Sequence, residues 1–115
     1  MTKDTLFLLK PDFHNAGKGP FYCPDCALVE GLLSYYPKLR HKLDVRYVDF
    51  ARPRADIIAL LGEAHQGCPV LVLADGRRVI DAGIEVHEAQ GRRFIDREAD
   101  IRRYLSATFG IGQAA

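Results

Sequence analysis

Two cysteines separated by two residues form the most informative motif of this 115-residue chain, Cys23-Pro24-Asp25-Cys26. Pro24 suits the first position of a helix, because the backbone N–H that proline lacks would have no partner within the helix there. Cys23 is therefore predicted at the start of a helix and Cys26 about one turn inside it. Side chains three residues apart lie on one helix face and can close a small disulfide ring. The motif predicts dithiol–disulfide exchange.

The position of each thiol relative to the helix predicts its role. Free backbone N–H groups and the helix dipole stabilise an anion at the N-terminus, so Cys23 is predicted to be the nucleophilic thiolate. Cys26 is then the resolving thiol. Asp25 places a negative charge between the thiols, which opposes thiolate formation and predicts only moderate activation. The same residues would also make a good helix start without any redox role.

A third cysteine, Cys68, stands directly before Pro69 and a predicted strand, where its thiol could reach the CxxC motif. It could equally be a small buried apolar residue. A further interpretation is that Cys68, Cys23 and Cys26 bind a soft metal, with His14 or His65 as the fourth ligand. Such a set suits zinc, and a cluster of thiolates suits copper(I). The alternative function is therefore a metal-binding or metal-sensing module.

Apolar periodicity and the spacing of glycine and proline predict the elements that position these thiols, in the order β-α-β-α-β-β-α. The run Leu6–Leu9 is too short for a helix and indicates a strand covered on both faces. Asp75-Gly76 is typical of a tight hairpin turn between the last two strands. The predicted strands are 5–10, 43–50, 69–73 and 78–80, and the predicted helices are 24–36, 54–65 and 98–109. Residues 11–22 are predicted as a long connecting loop.

Composition and charge restrict the class of protein. With 48% hydrophobic and 27% charged residues, the chain is expected to form one globular domain over residues 1–115. A formal charge of +1 predicts neither nucleic-acid nor membrane binding. The run Leu6–Leu9 is too short for the core of a signal peptide or for a membrane span, and three cysteines are an odd number for a disulfide framework. A cytoplasmic protein is expected.

The element order, the CPDC motif at the first helix and Pro69 at the third strand resemble the thioredoxin-like superfamily. This resemblance implies an α/β fold with a central mixed four-stranded sheet and helices on both faces. Tyr22 before the motif and Pro24 within it resemble the CPYC site of glutaredoxins. As a whole, the sequence is most similar to a small bacterial thioredoxin-like family of uncharacterised function. The resemblance implies that Cys23 attacks, that Cys26 resolves and that Pro69 is the cis-proline.

The resemblance implies a thiol–disulfide oxidoreductase without a cofactor, acting on a disulfide-containing protein or a small thiol. Tyr22 and the backbone of Cys68-Pro69 would line its substrate groove. Glutathione is the small thiol that glutaredoxins use, but Lys18 lies too far upstream to match their glutathione-binding lysine. Asp12 is a candidate proton acceptor for Cys26. A thioredoxin-like interaction domain without turnover is the third interpretation.

Overall fold

The apolar run near the start of the chain forms an interior strand of the main sheet, β1 (Asp4–Leu9). The computed structural model describes residues 1–115. Leu6 and Leu8 pack into one core and Phe7 packs into another, and none of the three is more than 1% exposed. Successive side chains of a strand alternate between its faces, so an unbroken apolar run needs cover on both. The prediction of a strand buried on both sides is confirmed.

Seven strands and four helices make up the chain. The strands are β1, β2 (Phe13–Asn15), β3 (Lys18–Phe21), β4 (Leu43–Val48), β5 (Val70–Val72), β6 (His87–Ala89) and β7 (Arg92–Ile95), and the helices are α1 (Pro24–Tyr35), α2 (Leu39–Lys42), α3 (Ala55–Leu61) and α4 (Glu98–Phe109).

Five of the strands form one mixed sheet in the order β4-β1-β5-β7-β6. β1 runs parallel to β4 and antiparallel to β5, and β7 is antiparallel to both of its neighbours. β2 and β3 form a separate hairpin. The α/β class is confirmed, but the main sheet has five strands where four were predicted.

Helices cover the two faces of the sheet and enclose two cores. On one face, α1 packs against β1 and α4 packs against β5 and α1, through side chains that include Val29, Leu33 and Leu105. On the other face, α3 contributes Ile57 and Leu61 to a smaller core. Burial of each large aliphatic side chain stabilises the fold by roughly 1.5–3 kcal/mol, which holds the helices against the sheet.

The predicted hairpin around Asp75-Gly76 is wrong. The chain does turn there, with Gly76 at a φ of 72°, but residues 78–80 form no strand and Ile80 is 81% exposed. β7 pairs with β5 instead, and it forms a hairpin with β6 around Gln90-Gly91. A strand beside β5 must supply apolar side chains to both cores, which Phe94 and Ile95 do.

The predicted loop before the CxxC motif contains the β2–β3 hairpin. Ala16 and Gly17 form its turn with φ values of 53° and 74°. Phe13 stacks on Phe50, with ring centroids 4.4 Å apart, and so attaches the hairpin to the segment after β4. Its strands are too short for alternating hydrophobicity to reveal them.

The ends of the helices follow local signals. α1 begins at Pro24 and ends just before Pro37, and Gly110 terminates α4 with a φ of 69°, as predicted. α3 is shorter than predicted because the chain leaves the helix at Gly62, whose φ is 82°. No helix of the protein combines the length and apolar character that crossing a bilayer requires.

Candidate functional site

Cys23 occupies the cap position at the N-terminus of α1. Its backbone is extended, and the N–H of Cys26 donates a hydrogen bond to its Sγ over 3.1 Å. The side chain is half-buried, and no disulfide links any of the three cysteines. A sulfur that receives a helix N–H is in the environment that stabilises a thiolate. The predicted placement of Cys23 at the helix start is observed.

Cys26 lies in the first turn of α1 with its thiol directed into the protein, and it is only 4% exposed. The N–H of Leu9, at the end of β1, lies 3.5 Å from its Sγ. Burial is the main cause that raises the pKa of Cys26 far above its ordinary value, and hydrogen bonding to Cys23 adds to the rise. Cys26 is therefore held as a neutral thiol, and the two thiols of the motif differ in exposure.

Cys68 lies in the segment that leads into β5, and its peptide bond to Pro69 is cis. Its half-buried side chain packs against both cores. Burial raises the pKa of Cys68 to about 11, opposed by the positive charges of Arg54 and Arg52. Negative charge on Cys23 would raise it further. The fold thus places the third thiol within electrostatic range of the CxxC motif.

Arg54 is a buried cation that shapes the segment before Cys68. Its guanidinium donates hydrogen bonds to the carbonyl oxygens of Phe50 and Gln66, and its backbone N–H donates to the side chain of Gln66. A buried charge is tolerated when its donors are satisfied in this way. Sequence reasoning missed Arg54, because nothing in the local pattern distinguishes it from an exposed arginine.

A mainly apolar pocket of about 290 Å³ opens beside the two motif cysteines. Tyr22 is 66% exposed and forms part of the wall, together with Cys23, Cys26 and the end of β1. The predicted residues Tyr22, Cys23 and Cys26 therefore share one pocket. Cys68 and Pro69 are not among the residues that line it.

Glu30 is the one carboxylate in the wall of this pocket. The hydroxyl of Tyr47 and the guanidinium of Arg40 each donate to it over 2.7 Å, and Arg40 also donates to the Tyr47 hydroxyl. Burial raises the pKa of Tyr47, so the hydroxyl keeps its proton and donates. Sequence reasoning missed Glu30, although it lies four residues after Cys26 and hence on the same face of α1.

The other predicted polar residues lie elsewhere. Asp12 is exposed in the turn before β2 and does not line the pocket, so it is not buried beneath the thiols. His14 is exposed on β2, and His65 is exposed beside the ring of Phe94. No group of three or more histidine, cysteine, aspartate or glutamate side chains is arranged to hold a metal ion.

Comparison with known proteins gives a family but no activity. The model of the family described as "Protein of unknown function (DUF3088)" matches residues 3–113. The search of curated proteins and the search of solved structures each find no match.

Proposed function

Since the chain belongs to the DUF3088 family, a family of unknown function, we propose its activity from the site alone: the protein is a thiol–disulfide oxidoreductase. The observation that carries the proposal is the contrast between the two motif thiols. Cys23 is half-buried at the helix terminus and accepts an N–H hydrogen bond, whereas Cys26 is buried and neutral. One thiol is placed to attack a substrate, and the other to attack the resulting mixed disulfide.

We further propose that the fold is thioredoxin-like. The arrangement of four neighbouring strands, in the order β4-β1-β5-β7, supports this proposal. β4 is parallel to β1, β5 is antiparallel to β1, and β7 is antiparallel to β5. The CxxC motif follows β1 at the start of α1, and Pro69 stands directly before β5. The β2–β3 hairpin and β6 would be additions to that core.

The reaction proceeds in two exchanges. The Cys23 thiolate attacks one sulfur of the substrate disulfide, forms a mixed disulfide and releases the other substrate sulfur as a thiolate. Cys26 then loses its proton and attacks the Sγ of Cys23, which breaks the mixed disulfide and releases the second substrate sulfur. Two electrons pass to the substrate, and the protein retains a Cys23–Cys26 disulfide.

Glu30 is the proposed proton acceptor for Cys26. Burial holds Cys26 as a thiol, so the second exchange needs a base. Glu30 lines the same pocket one turn along α1, and Arg40 and Tyr47 hold its carboxylate in place. The pocket of about 290 Å³ has room for a water molecule to carry the proton from Sγ to the carboxylate.

Replacing Glu30 with Gln tests this role. We expect the second exchange to slow by about 100-fold, the lower range for loss of general base catalysis. Alkylation of Cys23 should keep its rate, because that step needs no proton from Cys26. Stopped-flow measurement of substrate release from a preformed mixed disulfide separates the two steps.

Asp12→Asn is the matched control for Glu30→Gln, because it removes an exposed carboxylate that does not line the pocket. The control should resolve the mixed disulfide at the wild-type rate. Wild-type resolution in Glu30→Gln would exclude Glu30 as the base and leave the dithiol mechanism standing.

A redox titration tests the function itself. The protein is equilibrated with dithiol and glutathione buffers, its thiols are alkylated, and mass spectrometry locates each state of Cys23, Cys26 and Cys68. We expect a reversible Cys23–Cys26 disulfide with a potential between about −270 and −120 mV, the range of known exchange proteins. A pair that cannot be oxidised would overturn the proposal.

The same titration distinguishes the two alternatives. Thiols protected until a chelator is added would indicate a zinc or copper module built on Cys23, Cys26 and Cys68, and a CxxC motif that never cycles would indicate an interaction domain. No observation of the structure favours either alternative.

The substrate is proposed to be a disulfide-bonded protein or a small thiol. The odd number of cysteines suits a reducing compartment such as the cytoplasm, the proposed location.

A further inference from the structure

A second pocket, of about 670 Å³, lies at the end of the molecule opposite the thiols. Thr2 and Lys3, which precede β1, contribute to its wall, whereas the far end of β1 contacts Cys26 through Leu9. The strand between them, six residues long, sets Lys3 and Leu9 about 20 Å apart. A molecule bound in this pocket would leave the CxxC motif accessible.

The walls of this pocket carry positive charge, and Arg77 is the only cation among them that pairs with an acid, the buried Asp4. Lys3, Lys38, Lys42 and Arg77 supply this charge, and no aspartate or glutamate lines the pocket. The three lysines are exposed, and none of them forms an ion pair, whereas Lys10 elsewhere on the surface pairs with Asp49. In a protein with a formal charge of only +1, this is a strong local concentration of cations.

Arg77 is the cation of this pocket whose side chain is held in place by neighbouring residues. Its Nε donates to the fully buried carboxylate of Asp4 over 3.3 Å, and its guanidinium carbon lies 5.8 Å from the ring centroid of Phe109. These two contacts hold the guanidinium plane in one orientation. Its two Nη groups make no hydrogen bond within the protein, so they are available to an anion.

We propose that this pocket binds a small molecule that carries two or more phosphate groups. A guanidinium with free Nη groups matches the geometry of a phosphate, and the surrounding ammonium groups can neutralise further phosphates on the same molecule. The volume lies within the range of small-molecule sites, which is roughly 300–1,000 Å³. The hydroxyl of Thr2 supplies an uncharged donor at the same wall. This site does not depend on the proposed redox function.

Calorimetric titration of the full chain with inorganic tripolyphosphate, at about 150 mM salt, tests the site. We expect saturable binding of one tripolyphosphate per chain. The double variant Lys38→Gln/Lys42→Gln should weaken the affinity at least about tenfold, because it removes two charge-assisted contacts. Both lysines are exposed, so the variant should unfold at the wild-type temperature.

The double variant Lys10→Gln/Lys18→Gln is the matched control, because it changes the net charge equally and neither residue lines the pocket. It should keep the wild-type affinity to within about twofold, since an exposed charge beyond a Debye length is largely screened. Absence of binding, or equal losses in the two double variants, would overturn the proposal. Tighter binding of a single-stranded oligonucleotide than of tripolyphosphate would assign the pocket to a nucleic acid and also overturn it.

Discussion

The Cys23→Ser variant should reduce disulfides at least about 100-fold more slowly than the wild type, whereas Cys26→Ser should remain joined to its substrate as a mixed disulfide. The difference follows from the placement of the two thiols. Cys23 is the sulfur that a substrate can reach, and a serine hydroxyl there does not ionise at neutral pH. Cys26 is buried beneath it, so its replacement leaves the first exchange intact and removes only the second.

Two measurements check this pair of variants. Turnover is followed with a small aromatic disulfide and with a disulfide-bonded peptide, in the presence of excess dithiol. Intact-mass spectrometry of Cys26→Ser should show one added substrate thiol per chain, which dithiol releases. Full activity of Cys23→Ser would contradict the mechanism.

Cys68→Ser is the matched control, because Cys68 is also half-buried but has no role in either exchange of the proposed mechanism. Its turnover should stay within about threefold of the wild type, a change of less than 1 kcal/mol in the barrier. A loss of turnover as large as that of Cys23→Ser would bring Cys68 into the reaction. Metal content, measured on the same preparations without chelator, would detect the alternative three-thiol site.

The largest effect on stability is expected from Asp4→Ala. The Asp4 carboxylate is fully buried and accepts hydrogen bonds from the Tyr104 hydroxyl, the Ala74 N–H and the Arg77 guanidinium. Alanine leaves these donors without their partner, at a cost of about 3–5 kcal/mol in the free energy of unfolding. That is a large fraction of the 5–15 kcal/mol typical of a whole domain. Urea denaturation measures it.

Asp75→Ala controls for the loss of a carboxylate as such. Asp75 forms an exposed ion pair with the N-terminal ammonium group, so its removal should leave the urea midpoint unchanged. Equal midpoints for Asp4→Ala and the wild type would show that the buried network contributes nothing to stability.

The same network predicts how stability depends on alkaline pH. Burial is the main cause that raises the pKa of Tyr104, and the adjacent Asp4 carboxylate adds to it. Tyrosine in the unfolded chain has a pKa of about 10, so the unfolded state loses its proton first. The stability from neutral Tyr104 is therefore fully present below about pH 10 and is lost as the pH rises above it. Tyr104→Phe should be less stable at neutral pH and should lose this part of the alkaline dependence.

Much of the site could be predicted from the sequence, because it depends on the local chemistry of neighbouring residues. Pro24 and Pro37 limit α1 whatever the rest of the chain does, because proline restricts its own backbone and that of the residue before it. The spacing of Cys23 and Cys26 on that helix then places both thiols on one face. The unbroken apolar run of β1 required burial on both faces for the same local reason. These features depend on neighbours within one turn or one strand, so periodicity reveals them.

Only the tertiary structure decided which distant segments meet. Asp75-Gly76 does form a turn, but the partner of β5 is β7, because Phe94 and Ile95 fill both cores and residues 78–80 do not. Glu30 became a candidate base through contacts with Arg40 and Tyr47, which lie on other elements. The spacing of residues along the sequence does not predict such contacts, because they form only when whole elements pack together.

The electrostatic character of the thiols also came from tertiary packing. Composition predicts a nearly neutral protein, yet the fold concentrates lysines at one end and buries Cys26 at the other. Burial depends on which elements cover a group, and it is the main cause of the raised pKa of Cys26 and of Cys68. The sequence by itself therefore determined which residues could react, and the tertiary structure decided which of them is exposed, which is buried, and what charge surrounds each.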